Sequence, residues 1–490
     1  MIDLIDALAD DQLFGPWFVG DSWRPWRAVL KSACGHKLDD NELEIFHTVA
    51  RRDPPPRRVR ELWVVAGRRA GKDSVASAVA AHASGFVDYG PVLRPGELAS
   101  ILCLAVDKLQ AKIVLRYTKA FFDRIPMLAE LVTRETADGL NLSTQAELSV
   151  IASNFRSVRG RSIALAILDE CAFWRDEAST SPDVETYNAL LPGLVTIPGA
   201  MLVGLSSPYR KAGLLYQKWK DHFGKCEDDV LVIQAPSRAL NPTLPQRVID
   251  EAIERDPAAA RSEWLGEWRD DITCYITIEL IQSAVDVGVL VRPPRDGLRY
   301  VGFVDAASGV GRDSYAVCVA HSEGTEIIVD LIHEIRPPFD PTKATAEVCA
   351  LLKGYRINSV RGDKYAAGFV IEAHAKCGIS YAYSEKDTSQ NYLEALPLFT
   401  SGRVRLVDNR RVVAQFAGLE RRTGAGRDRV DHGSGDRHDD GSAATAGALA
   451  LVSTGGAPMV ISAEALRLAR IPPRGGTYRN RVNRFNQPRF

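Results

Sequence analysis

Leu62-Trp63-Val64-Val65-Ala66-Gly67-Arg68-Arg69-Ala70-Gly71-Lys72-Asp73-Ser74 is the stretch on which the fold of this chain turns. Its first five residues are apolar and read as a buried strand, while Ser74–Ala83 reads as a helix. Between them lies a glycine-bearing loop that ends in lysine. Strand, glycine loop, lysine and helix is the phosphate-loop arrangement. Backbone N–H groups and the positive end of the helix cradle phosphates, and the lysine reaches the outer ones. Gly67, Arg68, Arg69, Ala70, Gly71, Lys72, Asp73 and Ser74 are therefore candidate nucleotide-binding residues, with ATP as the ligand. Two positions depart from the usual pattern. Ala66 stands where the first glycine belongs, and Asp73 stands where a Ser or Thr normally ligates Mg²⁺.

Working outward, Ile163-Ala164-Leu165-Ala166-Ile167-Leu168 is a second buried strand, and it ends in Asp169-Glu170. Carboxylates at such a strand end suit nucleotide hydrolysis. Asp169 would hold Mg²⁺ and Glu170 would polarise the attacking water. Val203-Gly204-Leu205-Ser206-Ser207-Pro208-Tyr209 is a third strand ending in small hydroxyl residues, placed to sense the γ-phosphate. A guanidinium stabilises charge spread over the γ-oxygens, and Arg68 is the candidate for that role. Arg69 reads as facing solvent or a neighbouring subunit. From Glu61 to about Ala235, apolar runs alternate with helical stretches: Leu62–Ala66, Ile101–Ala105, Leu148–Ala152, Ile163–Leu168, Met201–Leu205 and Val230–Ile233. That alternation predicts a parallel α/β sheet with flanking helices.

The pattern changes after Val291-Arg292-Pro293-Pro294-Arg295-Asp296-Gly297. Three strand-like segments follow in quick succession, Tyr300–Val304, Tyr315–Ala320 and Glu326–Leu331, with gaps short enough for hairpins. A helix over about Thr342–Leu352 and a strand over Ile357–Val360 complete a βββαβ order, which predicts a mixed sheet of the ribonuclease-H type. Asp305 ends the first of these strands, Asp363 ends the fourth, and His438-Asp439-Asp440 opens a small-residue helix, Gly441–Leu451. Carboxylates at such positions can converge on one sheet edge. Phosphodiester hydrolysis needs metals that activate water and stabilise the leaving oxygen, and Mg²⁺ or Mn²⁺ prefers carboxylate oxygens. Asp305, Asp363 and Asp440, with Asp439 as the alternative at the last position, are the candidate metal ligands. Asp313 reads equally as a further ligand or as a cap before the second strand. His432 and His438 lack a Cys or His partner at zinc spacing, so the segment Asp431–His438 reads as a polar loop near DNA.

Composition sets the outer limits. At about 100–200 residues per domain, 490 residues predict two or three domains. A content of 46% hydrophobic and 25% charged residues excludes a disordered or fibrous chain. The formal net charge of −1 gives no global sign of nucleic-acid binding, so any DNA contact must come from local basic patches. Two such patches stand out. One is Arg51-Arg52-Asp53-Pro54-Pro55-Pro56-Arg57-Arg58. The other is the stretch from Arg467 to Phe490, which holds seven arginines and no acid. The eight cysteines include no CxxC pair, which argues against zinc and redox motifs and for a reducing compartment. Met1-Ile2-Asp3-Leu4 lacks the pattern of a secretory leader, and no apolar run approaches the ~18 residues of a membrane span, so a soluble intracellular protein is expected. The expected organisation is an N-terminal segment, 1–60, packing on an ATPase domain, 61–270. A linker, 271–298, then leads to a nuclease domain, 299–458, and a basic flexible tail, 459–490.

Taken in order, Gly67-Arg68-Arg69-Ala70-Gly71-Lys72, Leu168-Asp169-Glu170, Ser206-Ser207-Pro208, Asn241-Pro242-Thr243, Glu263-Trp264-Leu265-Gly266-Glu267-Trp268, Gly362-Asp363-Lys364-Tyr365 and His438-Asp439-Asp440 resemble the motifs of the terminase large subunits of tailed bacteriophages. Each is loose alone; their order along most of one chain is the specific signal. The resemblance implies an ATPase coupled to translocation of double-stranded DNA into a procapsid, with metal-dependent cutting of concatemeric DNA. It implies ATP with Mg²⁺ at the first site and Mg²⁺ or Mn²⁺ at the second, and a catalytic role for Arg68. It implies as partners a small terminase subunit and the procapsid portal, with a ring of copies on the portal and a monomer in solution as an open alternative. It places the protein in the cytoplasm of an infected bacterium, transiently at the portal, outside both membrane and mature virion. The competing expectation is a helicase-like remodelling ATPase whose ribonuclease-H-like domain binds DNA without cutting it.

Overall fold

The computed structural model describes residues 2–18, 20–106, 108–152, 158–174, 182–364, 367–423, 428–433 and 438–454. The arginine-rich stretch 467–490 lies outside the described residues, as do Tyr365 and positions 434–437 of the polar loop.

Eight strands form the first sheet: β1 (Glu61–Ala66), β2 (Ala99–Ala105), β3 (Val132–Thr136), β4 (Gly139–Leu142), β5 (Ala146–Ala152), β6 (Ser162–Asp169), β7 (Met201–Ser206) and β8 (Val230–Ala235). Their order across the sheet is β3-β4-β5-β2-β6-β7-β1-β8. The six strands read from sequence pair in parallel, and the short β3 and β4 add an antiparallel edge. The central strands are apolar on both faces because helices cover both, as a parallel sheet requires. One strand, β7, separates β1 from β6, with Val65 opposite Ser206 and Asp169 opposite Leu205. The end of β7 therefore enters between the phosphate loop and the acidic pair. Helices Leu4–Ala9, Arg24–Ala33 and Asp40–Ala50 bury Leu8, Trp26 and Phe46 in one continuous core with Val64, Ala66 and Ile101.

Seven strands form the second sheet: β10 (Val285–Asp286), β11 (Tyr300–Asp305), β12 (Tyr315–Glu323), β13 (Glu326–Ile335), β14 (Ser359–Gly362), β15 (Ser380–Tyr383) and β16 (Val404–Val407), in the order β10-β16-β13-β12-β11-β14-β15. The run β13-β12-β11-β14-β15, with two antiparallel and two parallel pairings, is the ribonuclease-H-type core. Strand periodicity divides its side chains between two faces. Phe303, Ala316 and Cys318 pack with the helix Asp440–Thr454, while Val304, Val317 and Val319 pack with the helix Pro341–Gly354. Gly447 lets the first of these helices approach, because a Cβ there would sit 2.5 Å from the Phe303 ring.

The segment 271–298 is not a free linker. It contains β9 (Ile272–Cys274), the helix Ile278–Ser283 and β10. β10 pairs with β16, while β9 joins β17 (Leu419–Arg422) and β18 (Arg429–His432) in a small third sheet. Tyr275, Ile276 and Ile281 are buried with the second core. Among the described residues, no helix is long and apolar enough to cross a membrane.

Candidate functional site

The phosphate loop opens a cavity of about 710 Å³ lined by Arg68, Lys72, Asp73, Gln110, Tyr117 and Glu170, among others. Gly67 and Gly71 shape it. A Cβ on Gly67 would meet Ser237 Oγ at 2.2 Å and the Trp264 carbonyl at 2.7 Å, and Gly71 takes a φ of +93°. The loop is braced from outside: Trp26 Nε1 donates to the Ala70 carbonyl (2.7 Å), Ser237 Oγ to the Arg68 carbonyl (2.7 Å) and Asn241 Nδ2 to the Arg69 carbonyl (2.8 Å). Asn241 belongs to the Asn-Pro-Thr segment singled out from sequence, whereas nothing in the sequence pointed to the contact from Trp26.

Lys72 is buried. Its Nζ donates to the carbonyls of Ala66 (3.0 Å) and Gly67 (3.3 Å) and to Ser207 Oγ (3.0 Å), and lies 3.3 Å from Glu170 Oε1. The other oxygen of Glu170, Oε2, accepts from Ser206 Oγ (2.9 Å) and the Ser207 N–H (3.0 Å). Glu170 itself sits at φ +46°, a left-handed conformation that costs a non-glycine residue of order 1–3 kcal/mol. The phosphate loop, the acidic pair and the end of β7 thus form one hydrogen-bonded unit.

Asp169 is buried, and its Oδ1 has no hydrogen-bond partner among the described residues. Burial, then the charges of Glu170 and Asp73, push its carboxyl up to about 8, against the pull of Lys72 and of a hydrogen bond to Gln110. Burial and Glu170 likewise raise Asp73 despite Lys72 and Arg69. This donor set fits a divalent cation, which would satisfy the buried oxygen and relieve the repulsion. Arg68, the candidate for the γ-phosphate, lines the cavity and is paired with Glu263, its Nη2 3.1 Å from Oε1. Glu263 opens the second late segment singled out from sequence, so that segment also meets the loop.

The second set of acids gathers on one face of the second sheet. Asp305 ends β11 and Asp363 follows β14; these strands are parallel neighbours with Val304 opposite Gly362. Strand alternation puts Asp305 on the face of Phe303, where the helix Asp440–Thr454 lies. Asp440 opens that helix and accepts from the Ser314 N–H (2.7 Å). Burial, then the carboxylates of Asp363, Asp440, Asp439 and Asp313, hold Asp305 well above the usual carboxylate range. Asp440 is pushed up to about 6 by burial, Asp439 and Asp313, offset by the Ser314 N–H and His438.

Asp439 is turned elsewhere. Its Oδ2 accepts from the hydroxyl of the fully buried Tyr392 (2.8 Å), which also meets Ser442 Oγ (2.8 Å). Asp313 is neither isolated nor a plain cap: its Oδ1 lies 2.7 Å from His438 Nδ1, and ligand atoms of Asp313, His438 and Asp440 all fall within 4.8 Å of one another. Oxygen donors with one imidazole fit Mg²⁺ or Mn²⁺. Tyr392 escapes sequence reasoning because a lone tyrosine in an apolar helix carries no signal in one dimension, whereas His438 reads from sequence as part of a polar loop for want of a spaced partner.

A contact links the two halves. Tyr209, three residues beyond Ser206, donates its hydroxyl to Glu420 on β17 (2.7 Å), and Arg210 Nη1 lies 4.0 Å from the same buried carboxylate.

No protein-family model matches the sequence, and no curated protein matches it. Among solved structures, the chain is similar to the large terminase of bacteriophage HK97 at 16% identity and a TM-score of 0.37, over 87% of this chain and 99% of that one. It is similar to the large terminase of the thermophilic bacteriophage D6E at 10% identity and a TM-score of 0.39, over 88% and 98%. The large terminase nuclease of thermophilic phage G20c with bound magnesium aligns with 35% of this chain and 96% of its own, at 17% identity and a TM-score of 0.31. Values this low carry neither an activity nor a residue's role from those proteins to this one.

Proposed function

We propose that this chain is the large subunit of a tailed-phage terminase, which hydrolyses ATP at the first sheet to move double-stranded DNA and cuts that DNA at the second. One observation carries the reading. A single chain bears a phosphate loop whose lysine is bonded to the ends of two neighbouring strands and, on a separate sheet, a convergence of Asp305, Asp363 and Asp440.

At the first site Lys72 gives up its bond to Glu170 and takes the outer phosphates of ATP. Glu170, held by Ser206 and Ser207, then orients the attacking water. Asp169 would hold Mg²⁺, which supplies charge neutralisation on the phosphates. Arg68 reaches the γ-phosphate only by leaving Glu263, so its catalytic role requires that ion pair to open. At the second site Asp305, Asp363 and Asp440 would hold Mg²⁺ or Mn²⁺, which supplies an activated water and stabilises the leaving oxygen. Ser314 fixes Asp440 through its N–H, and Tyr392 keeps Asp439 out of the donor set. In this reading the partners are double-stranded DNA, a small terminase subunit and the portal, on which copies assemble as a ring, in the cytoplasm of the infected cell.

The test uses purified full-length protein, plasmid DNA, ATP and either metal, with cleavage and ATP hydrolysis read in the same tubes. Lys72→Ala is expected to abolish hydrolysis and retain cleavage, and Asp305→Ala the reverse. A wild-type protein that never cuts DNA in either metal would overturn the nuclease half and favour a remodelling ATPase.

A further inference from the structure

The nucleotide site just described contains one more carboxylate than that reading requires. Asp73 lies in the first turn of the helix Lys72–Gly85, where a phosphate loop ordinarily presents a neutral hydroxyl to the metal. It is half-buried, and its charge interacts with those of Lys72, Glu170 and Arg69, while Asp169 in turn feels Asp73. Asp169, at the end of the strand that precedes Glu170, is 5% exposed, and its Oδ1 has no hydrogen-bond partner among the described residues. A buried carboxylate oxygen in that state calls for a cation. Lys72 does not meet the call, because its ammonium is already engaged by two carbonyls, Ser207 and Glu170. Arg69 stands exposed at the rim.

We propose that Asp73 is a metal ligand and that, together with Asp169, it holds a divalent cation in this site before any nucleotide is bound. The inference rests on the reading of this cavity as a phosphate loop. With a Ser or Thr at position 73, the protein would offer the metal one carboxylate and a hydroxyl, and the cation would depend on the phosphates for its remaining charge. With Asp73 the protein itself offers two anionic oxygen donors, the set that Mg²⁺ and Mn²⁺ favour. Charge also orders the events. Among the described residues, Asp73, Asp169, Glu170 and the Arg68 partner Glu263 stand against Lys72, Arg68 and Arg69, so carboxylates outnumber cations and the excess repels a triphosphate. A bound dication reverses that sign. Cation first, nucleotide second is the resulting sequence.

The experiment counts Mn²⁺ bound to the full-length protein without nucleotide, by electron paramagnetic resonance. It is done in an Asp305→Asn, Asp440→Asn background that disables the second acid cluster. Asp73→Asn and Asp73→Ser are compared with that background. The expected result is a Mn²⁺ site whose affinity falls at least about ten-fold in both variants, with Asp73→Ser recovering Mn²⁺ binding once ATP is added. Unchanged Mn²⁺ binding in both variants would overturn the proposal. A fluorescent ATP analogue bound with and without Lys72→Ala separates the two levels. If nucleotide binds through Lys72 while Asp73 makes no difference to Mn²⁺, only the inference fails. If nucleotide binding ignores Lys72, the phosphate-loop reading fails with it.

Discussion

Both sites of this chain are built from carboxylates at strand ends, yet they are balanced in opposite ways. At the first sheet the protein supplies its own counter-charge: Lys72 sits between the phosphate loop and Glu170, and Ser206 and Ser207 hold the same carboxylate. At the second, Asp305 is surrounded by the carboxylates of Asp363, Asp440, Asp439 and Asp313. The first site therefore pairs Glu170 within the fold and leaves repulsion on Asp169 and Asp73, whereas at the second four carboxylates repel Asp305. The difference teaches that similar strand-end acids serve unlike chemistry according to the cations that the fold puts beside them.

The largest expected effects separate the two sites outright. Glu170→Gln should lower ATP hydrolysis by about 100-fold or more while leaving nucleotide binding intact, and Asp363→Asn should abolish DNA cleavage with hydrolysis unchanged. Steady-state assays of both activities on each variant check this, and a variant that lowers both alike would break the comparison. Next in size is Gly447→Ala. Its Cβ would press on the Phe303 ring and displace the helix that carries Asp440. A cost of about 1–3 kcal/mol and a loss of cleavage, with hydrolysis preserved, are expected from denaturant melts and the same assays.

Metal-free stability should respond to pH in a direction fixed by the acids. Asp169 is pushed up to about 8 and Asp440 to about 6, against about 3.9 for an unfolded aspartate. Between those limits the folded chain binds more protons than the unfolded one, so stability falls as pH rises through the window. A melting temperature that drops by a few degrees between pH 5 and 8, and flattens when Mg²⁺ is added, is the expected record; an acid-labile protein over that range would contradict it. The smallest effect is that of Trp26→Phe. It removes the N–H donated to the Ala70 carbonyl, worth about 1 kcal/mol, and should raise the KM for ATP a few-fold without touching cleavage.

The chemistry-bearing strand ends were legible in the sequence because burial on both faces makes β1, β6 and β7 uniformly apolar and leaves their terminal polar residues conspicuous. Asp305 and Asp363 stand out as carboxylates at strand ends, and Asp440 as the acid that opens a small-residue helix. What stayed hidden depends on contacts distant in the chain. The strands β9 and β10 have three and two residues, too short to show a period, and their partners lie more than a hundred residues away. The ion pair of Arg68 with Glu263 and the approach of His438 to Asp313 likewise join segments whose spacing in sequence means nothing. Asp439 and Asp440 could not be told apart without seeing that one faces Tyr392 and the other Ser314.

The late pairing of β9 with β17 also bears on synthesis. A ribosome releases the chain from its N-terminus, and the first sheet has all its strands once residue 235 has emerged. The second cannot close so early. Its edge strand at 285–286 waits for 404–407, the small sheet waits for 419–432, and the helix that delivers Asp440 comes after both. Such distant pairings fold slowly, because the intervening loop must close first. A nascent or truncated chain thus has all the strands of the first sheet long before those of the second, and the acids of the second can gather only after the helix beginning at Asp440 has emerged.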